Sequence, residues 1–234
     1  MPIIDVIIPA YNEEAAVGKV VQAIPKSLVR EIIVCNNNST DRTAEIATQN
    51  GATVLLQPIM GYGNACLKGI EYLKQKPTAE QPDIVVFIDA DYSDIPEEMP
   101  DVVAPIINDK MDMVIGSRAL GKLEKGAMTV PQRFGNWLAT NLIRIIYNYY
   151  FTDLGPFRAI RYSSLIAMNM EDKTFGWTVE MQVKAAKMKL KTTEVAVDYR
   201  RRAGGKSKVS GTIKGTFLAG YKILWTIFKL YWKA

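Results

Sequence analysis

No histidine occurs among the 234 residues of this chain. Its absence removes the side chain that most often serves as general base near neutral pH and as ligand to transition metals, so any bound metal would be held mainly by oxygen. Cysteine is almost as scarce. Cys35 and Cys66 are the only two, too few for a disulfide framework or a thiolate metal site, and both sit in apolar or glycine-containing surroundings expected of reduced core thiols. The start, Met1-Pro2-Ile3-Ile4-Asp5, has neither a charged leader nor a long apolar stretch, so no signal peptide is expected and a cytoplasmic location follows. There is no internal repeat and no low-complexity tract.

What is present supports one large domain. Hydrophobic residues make up 48% and charged residues 23%, the balance of a chain that packs a core. The net charge of +5 is unevenly spread: residues 1–183 carry 16 Lys and Arg against 22 Asp and Glu, whereas residues 184–234 carry 13 against 2. A basic end on an acidic body points to an anionic partner for that end, whether a phosphate, a membrane surface or a nucleic acid.

Apolar runs at 3–8, 31–35, 52–56, 84–88 and 113–116 read as strands, and segments of helical spacing follow at 15–24, 41–50, 64–75 and 96–107. Strands alternating with helices predict an α/β fold, a mostly parallel sheet flanked by helices, with ligands at the carboxyl ends of its strands. Pro9, Asn36-Asn37-Asn38-Ser39 and Asp89-Ala90-Asp91-Tyr92-Ser93 all fall at such ends. The last follows Ile84-Val85-Val86-Phe87-Ile88, which reads as a strand buried on both faces. Carboxylates one residue apart repel each other, and a hard cation such as Mg²⁺, shared with substrate phosphates, would relieve that. The same residues also fit a helix N-cap, with Asp94 capping the turn at Ile95-Pro96-Glu97-Glu98.

Residues 119–132 read as a surface loop and 133–151 as a helix. At about 100° per residue, Arg133, Asn136, Thr140, Asn141, Arg144 and Asn148 crowd within roughly 140°, opposite Leu138, Leu142, Ile145, Ile146 and Tyr149. Thr152-Asp153-Leu154-Gly155-Pro156-Phe157-Arg158 reads as a turn, 177–189 as a helix and 193–199 as a half-exposed strand. Arg200-Arg201-Arg202-Ala203-Gly204-Gly205-Lys206-Ser207-Lys208 is the densest basic run. Its glycines admit close backbone approach and its Ser, Lys and Arg are donors to a phosphate, although a solvated loop or a nucleic-acid patch has the same composition. In 212–233, aromatic residues mix with Lys214, Lys222, Lys229 and Lys233, which share a sector of about 100°. That pattern fits an amphipathic helix lying in a membrane interface, or one packed on the protein's own core, better than a helix crossing a bilayer.

Seven motifs occur in order: Pro9-Ala10-Tyr11-Asn12-Glu13, Asn37-Asn38-Ser39-Thr40-Asp41, Asp89-Ala90-Asp91, Gly116-Ser117-Arg118, Asp153-Leu154-Gly155-Pro156-Phe157-Arg158, Glu180-Met181 and Arg202-Ala203-Gly204-Gly205-Lys206-Ser207-Lys208. Together they resemble the family-two glycosyltransferases, and more narrowly the dolichyl- or polyprenyl-phosphate sugar synthases, up to about Gly211. The resemblance implies a GT-A (Rossmann-like) domain over 1–211, with a nucleotide-sugar half at 1–118 and an acceptor half at 119–211, then a tail helix at 212–234. It places Pro9, Tyr11, Glu13 and Gly63 around the nucleotide, and Asp89, Ala90 and Asp91 on the sugar nucleotide through Mg²⁺ or Mn²⁺. Where relatives commonly carry an acid that reaches the base or ribose, this chain has Asn36 and Asn37. An amide both donates and accepts, so the base is left open. Arg118, Arg133, Arg202, Ser207 and Lys208 match positions that gather around an acceptor phosphate.

The implied reaction is an inverting, metal-dependent transfer of a sugar from a nucleotide-sugar donor to a polyprenyl (dolichyl-like) phosphate, by a protein peripheral on the inner face of the cell membrane. A phosphate monoester, with its second pKa about 6, is already ionised and needs no general base. A hydroxyl acceptor on a saccharide or lipid-linked saccharide would need one, and Asp153 is then the nominee. A nucleotidyltransferase would want a Gly-rich, Lys- or Arg-containing loop after the first strand, which is lacking here. A non-catalytic sugar-nucleotide module is not favoured by an intact Asp-Ala-Asp. Nucleic acid is not the expected partner; a binder of it would show salt-sensitive affinity in 184–234.

Overall fold

The computed structural model describes residues 2–204 and 213–232. Seven strands form one sheet: β1 (Ile4–Ala10), β2 (Glu31–Asn36), β3 (Thr53–Leu56), β4 (Ile84–Phe87), β5 (Met113–Ser117), β6 (Arg158–Arg161) and β7 (Thr192–Ala196). Their spatial order is β3-β2-β1-β4-β6-β5-β7, and every pairing is parallel except the two made by β6, which runs antiparallel between β4 and β5. The helices are α1 (Val17–Ala23), α2 (Thr43–Gln49), α3 (Tyr62–Lys74), α4 (Met99–Asn108), α5 (Val130–Tyr147), α6 (Tyr162–Met168), α7 (Trp177–Lys187) and α8 (Ile213–Trp232).

Alternation along the strands divides the core into two layers, because successive side chains in a strand point to opposite faces. Ile7, Ile33, Val85 and Phe87 pack with residues of α3, α5, α6, α7 and α8. Ile4, Val6, Ile8, Val34 and Val86 pack with α1, α2 and α4. Residues 84–88 are buried throughout, as a strand covered on both faces requires. Register aligns Ala10 with Asn36 and Ile7 with Phe87, so the carboxyl ends of β1, β2 and β4 emerge side by side. Both cysteines are buried and free, and burial pushes the Cys35 thiol up to about 12, which keeps it inert.

Departures from the sequence-based expectation concentrate after residue 118. Residues 130–132 belong to α5 rather than to a loop: Thr129 and Gln132 form a capping box, and Pro131 sits in the first turn, where its missing N–H has no helical partner to lose. The helix stops at Tyr147, short of 151, because Asn148 turns left-handed with φ 51°. The stretch read as a turn runs into β6, with α6 directly after it. Arg158-Ala159-Ile160-Arg161 has charge at both ends and hides its strand character. Arg158 is nonetheless fully buried, donating to the carbonyls of Leu154, Gly155 and Thr178. Among the described residues β7 pairs only with β5, and it is partly exposed along its length instead of alternating. Asp94 caps nothing: its carboxyl oxygens are buried with no hydrogen-bond partner among the described residues, and the short turn Pro96–Glu98 has no side-chain cap.

The tail helix packs on the protein's own core along one side and leaves an aromatic side exposed. Ile227 and Leu230 of α8 are buried with α5 and α7, while Leu218, Tyr221, Trp225, Phe228 and Trp232 remain exposed. Among the described residues, no helix is long and apolar enough to cross a membrane.

Candidate active site

A cavity of about 540 Å³ opens at the carboxyl ends of β1, β2 and β4. Pro9 and Ala10 line it from the end of β1, with Tyr11 and Glu13 just beyond, Asn37 from just past β2, and Asp89, Ala90 and Asp91 from just past β4. Gly61, Tyr62 and Ala65 at the start of α3, Thr174 and Phe175 before α7, and Arg202 beyond β7 complete the wall. The Tyr62 hydroxyl donates to Asp89 Oδ1 at 3.0 Å. Burial, and after it the charge of Asp91, push the Asp89 carboxyl up to about 7, against the opposing pull of the Tyr62 bond and the Arg118 charge.

Asp91 is held differently. Its Oδ1 accepts the Ser93 N–H at 2.9 Å and the Ser93 hydroxyl, and its Oδ2 lies 3.9 Å from Arg202 Nη1. Between the pair and Ser93, Tyr92 adopts φ 62°, a left-handed conformation uncommon for a bulky residue. Arg200 holds it there: its Nε donates to the Tyr92 carbonyl at 2.8 Å and its guanidinium stacks 3.5 Å from the ring centre. Such strain persists only where surrounding contacts over-determine it, and here it fixes the turn that carries the acids.

These groups fit a divalent cation. The donors are oxygens, Glu13, Asp89 and Asp91 outnumber Arg202 in the wall, and the buried Asp94, whose carboxyl burial pushes well up, adds another acid nearby. Among the described residues, however, no group of three or more acidic or thiol side chains could hold a metal alone. Phosphate oxygens and water would have to complete the shell.

Several expected residues sit in this cavity with their polar atoms already committed. Asn37 Nδ2 donates to the carbonyls of Gln57 and Ile59 at 3.1 and 2.7 Å, and its Oδ1 accepts the Gly61 N–H at 2.7 Å, so its amide holds a loop rather than facing a base. Asn36 does not reach the cavity; its Oδ1 accepts the Ser39 N–H at 3.1 Å. Gly63 is also behind the wall, where a Cβ would stand 1.9 Å from the Asp172 carbonyl oxygen. Arg202 joins the acids: its Nη2 donates to Glu13 and its Nε to the Gly204 carbonyl at 3.0 Å. Ser207 and Lys208 lie outside the described residues.

A second cavity, of about 570 Å³, runs along α5. Arg133, Asn136, Thr140, Asn141 and Arg144 line it, which is the polar face read from the helical wheel, and Trp137 shares the wall. Asn148 caps the helix instead. Arg118 and Asp153 also border the cavity. The backbone N–H, Nε and Nη2 of Arg118 donate to the Asp153 carboxylate at 2.8, 2.7 and 2.7 Å, and the guanidinium lies 5.0 Å from the Tyr199 ring centre. Asp153 therefore holds Arg118 in place, which leaves it poorly disposed to accept a proton from a substrate.

Sequence reasoning did not single out Tyr62, Thr174, Phe175 or Tyr199. The Gly61-Tyr62-Gly63 pattern, with glycines around an aromatic next to a helix start, was a usable signal for the first. The other three carry no local mark: Thr174 and Phe175 lie before α7, and Tyr199 follows β7, where its partners Ser93 and Arg118 come from distant segments.

Residues 5–168 match the family model described as Glycosyl transferase family 2. An uncharacterized glycosyltransferase of Mycobacterium tuberculosis is 33% identical over 219 residues, covering 92% of this chain and 94% of that protein. The dolichyl-phosphate hexose transferase of Haloferax volcanii is 32% identical over 203 residues, 85% of this chain and 83% of that protein. Among solved structures, glucosyl-3-phosphoglycerate synthase from Mycobacterium tuberculosis, in complex with Mn²⁺, uridine diphosphate and phosphoglyceric acid, superposes with a TM-score of 0.78 at 20% identity. That superposition covers 99% of this chain and 79% of that one, and it is a likeness of fold.

Proposed function

The chain belongs to glycosyl transferase family 2, as a nucleotide-sugar-dependent glycosyltransferase with a GT-A fold, and from that premise we propose that it moves a hexose from a nucleoside diphosphate sugar to a polyprenyl (dolichyl-like) phosphate at a membrane surface. The observation that carries this reading is the charge division between the cavities. One is walled by Asp89, Asp91 and Glu13; the other presents Arg118, Arg133 and Arg144, and the carboxylate among its lining residues, Asp153, is bound by Arg118. A relative's name, dolichyl-phosphate hexose transferase, agrees with a phosphate acceptor. Mn²⁺ and uridine diphosphate in the superposed structure agree with a cation-assisted donor site.

Asp89 and Asp91 would hold Mg²⁺ or Mn²⁺ together with the donor diphosphate, and when bound the cation neutralises charge on the leaving group. Tyr62 orients Asp89 by donating to it, and the Ser93 pair of donors orients Asp91. Arg202, between Glu13 and Asp91, is placed to meet a phosphate oxygen once a diphosphate enters. Arg118 is pre-set by Asp153 and Tyr199, while Arg133 and Arg144 supply two further guanidiniums to bind and orient the acceptor. The acceptor phosphate oxygen then attacks the sugar carbon opposite the leaving diphosphate, with inversion. It is already ionised, so the missing histidine and the occupied Asp153 are no obstacle.

The exposed aromatic residues of α8, and separately Phe134 and Trp137 on α5, support a peripheral place on a membrane surface, which for a cytoplasmic protein is the inner face of the cell membrane. Transfer should be assayed with Mn²⁺ and radiolabelled nucleotide sugars on two acceptors, polyprenyl phosphate and the free polyprenol. Transfer to the phosphate alone is expected. Comparable transfer to the alcohol would replace this reading with one in which a hydroxyl is activated.

A further inference from the structure

Thr174 borders both the nucleotide cavity and a smaller one of about 210 Å³, whose wall includes Asp172, Lys222 and Thr226. The segment that carries it is held from three sides. Glu180 on α7 accepts the N–H groups of Glu171 and Asp172 at 2.9 and 2.7 Å. At the start of α3, the Asn64 N–H donates to the Lys173 carbonyl at 3.0 Å, and Gly61 and Gly63 approach the same backbone too closely for any side chain.

The third hold comes from the tail helix. Asp172 Oδ1 accepts the N–H groups of Thr174 and Gly176 at 2.8 and 3.2 Å, which shapes the turn leading to Phe175. Its other oxygen, Oδ2, lies 3.1 Å from Nζ of Lys222 on α8, and the Asp172 side chain is only 8% exposed. One carboxylate thus ties the wall of the nucleotide cavity to a helix whose far face is aromatic and exposed.

We infer that the Lys222–Asp172 pair couples α8 to the nucleotide cavity, so that the seating of the tail helix sets the position of Thr174 and Phe175 and with it the affinity for the donor diphosphate. This rests on reading that cavity as the donor site. Neither Asp172 nor Lys222 lines the cavity, so both are positioning residues. Linkage makes the coupling reciprocal: whatever draws α8 away from α7 weakens nucleotide binding by the factor by which nucleotide opposes that movement.

The test is calorimetric titration of the full chain with UDP and GDP in Mn²⁺, paired with steady-state kinetics. Lys222→Met should weaken binding of whichever nucleotide the wild type takes by roughly three- to tenfold and raise the donor KM alike, with kcat little changed. Asp172→Asn should match it, Lys222→Arg should restore wild-type binding, and Lys229→Met, the same loss of charge two turns further along α8, should leave binding unchanged. Equal binding by wild type, Lys222→Met and Asp172→Asn, an equal loss in Lys229→Met, or a fall in kcat at constant KM would overturn the coupling. A wild type that binds neither nucleotide would overturn the donor-site reading itself, and the inference with it.

Discussion

Asp89 and Asp91 stand where a strand covered on both faces ends, whereas Arg133 and Arg144 stand on the exposed side of a helix bordered by open surface. The acids are therefore placed by the sheet and its hydrogen-bonded turn before any ligand arrives, and their half-buried position raises the cost of an uncompensated charge. The helix arginines keep their water and their freedom, and can follow a ligand that varies in position. Arg118 combines the two conditions. It borders the cationic cavity but is buried against Asp153 like a member of the acidic one. The contrast suggests a donor held to one geometry and an acceptor allowed some latitude.

The largest effect that would break this contrast is expected at the metal-facing acid. Asp91→Asn should lower kcat by roughly 10²–10³-fold, while the melting temperature stays within a degree or two of wild type because Ser93 can still donate to the amide oxygen. Undiminished transfer would remove Asp91 from the site.

Comparable in free energy, but read in stability rather than rate, is Arg118→Ala, which leaves the buried Asp153 carboxylate with only the backbone N–H of residue 118. A loss of about 3–5 kcal/mol in urea unfolding is expected, against less than about 0.5 kcal/mol for Arg133→Ala. Similar costs for the two would show that Arg118 is no more built-in than the helix arginines.

On the acceptor side, Arg133→Ala and Arg144→Ala should each raise the KM for polyprenyl phosphate roughly tenfold, the worth of a lost charge-assisted hydrogen bond. Donor affinity should not move. Parallel losses in donor and acceptor terms would merge the two cavities into one functional unit.

The smallest expected effect is on pH. Asp89 is raised in the folded protein from its ordinary 3.8 to about 7, so the stability it contributes is fully present below the ordinary value and is lost as pH rises through about 7. A cation that replaces the proton reverses that trend. The rise in melting temperature given by Mn²⁺ with a nucleoside diphosphate should thus be greater at pH 8 than at pH 6, and a smaller rise at pH 8 would count against Asp89 as a ligand.

The apolar runs and their spacing were enough for β1 to β5 and the helices between them, and they put Pro9, Asp89 and Asp91 at strand ends. The polar face of α5 was legible too, because helical periodicity is a property of neighbouring residues alone. β6 was not, since a strand of four residues with an arginine at each end has no periodic signature, and its place depends on carbonyls that bury Arg158. Nor could spacing tell that Asn37 uses its amide on residues 57–61, or that Asp153 binds Arg118.

By itself, then, the sequence determined the α/β alternation, the acidic strand end and the basic helix face. Tertiary structure alone decided which charges meet: Arg202 with Glu13 across 189 residues of chain, Tyr62 with Asp89, and Lys222 with Asp172. The physical reason is that periodicity and turn chemistry act over one or two turns of backbone. Partners in a site are chosen by how the strands are ordered in the sheet, and that order is settled only when the core packs.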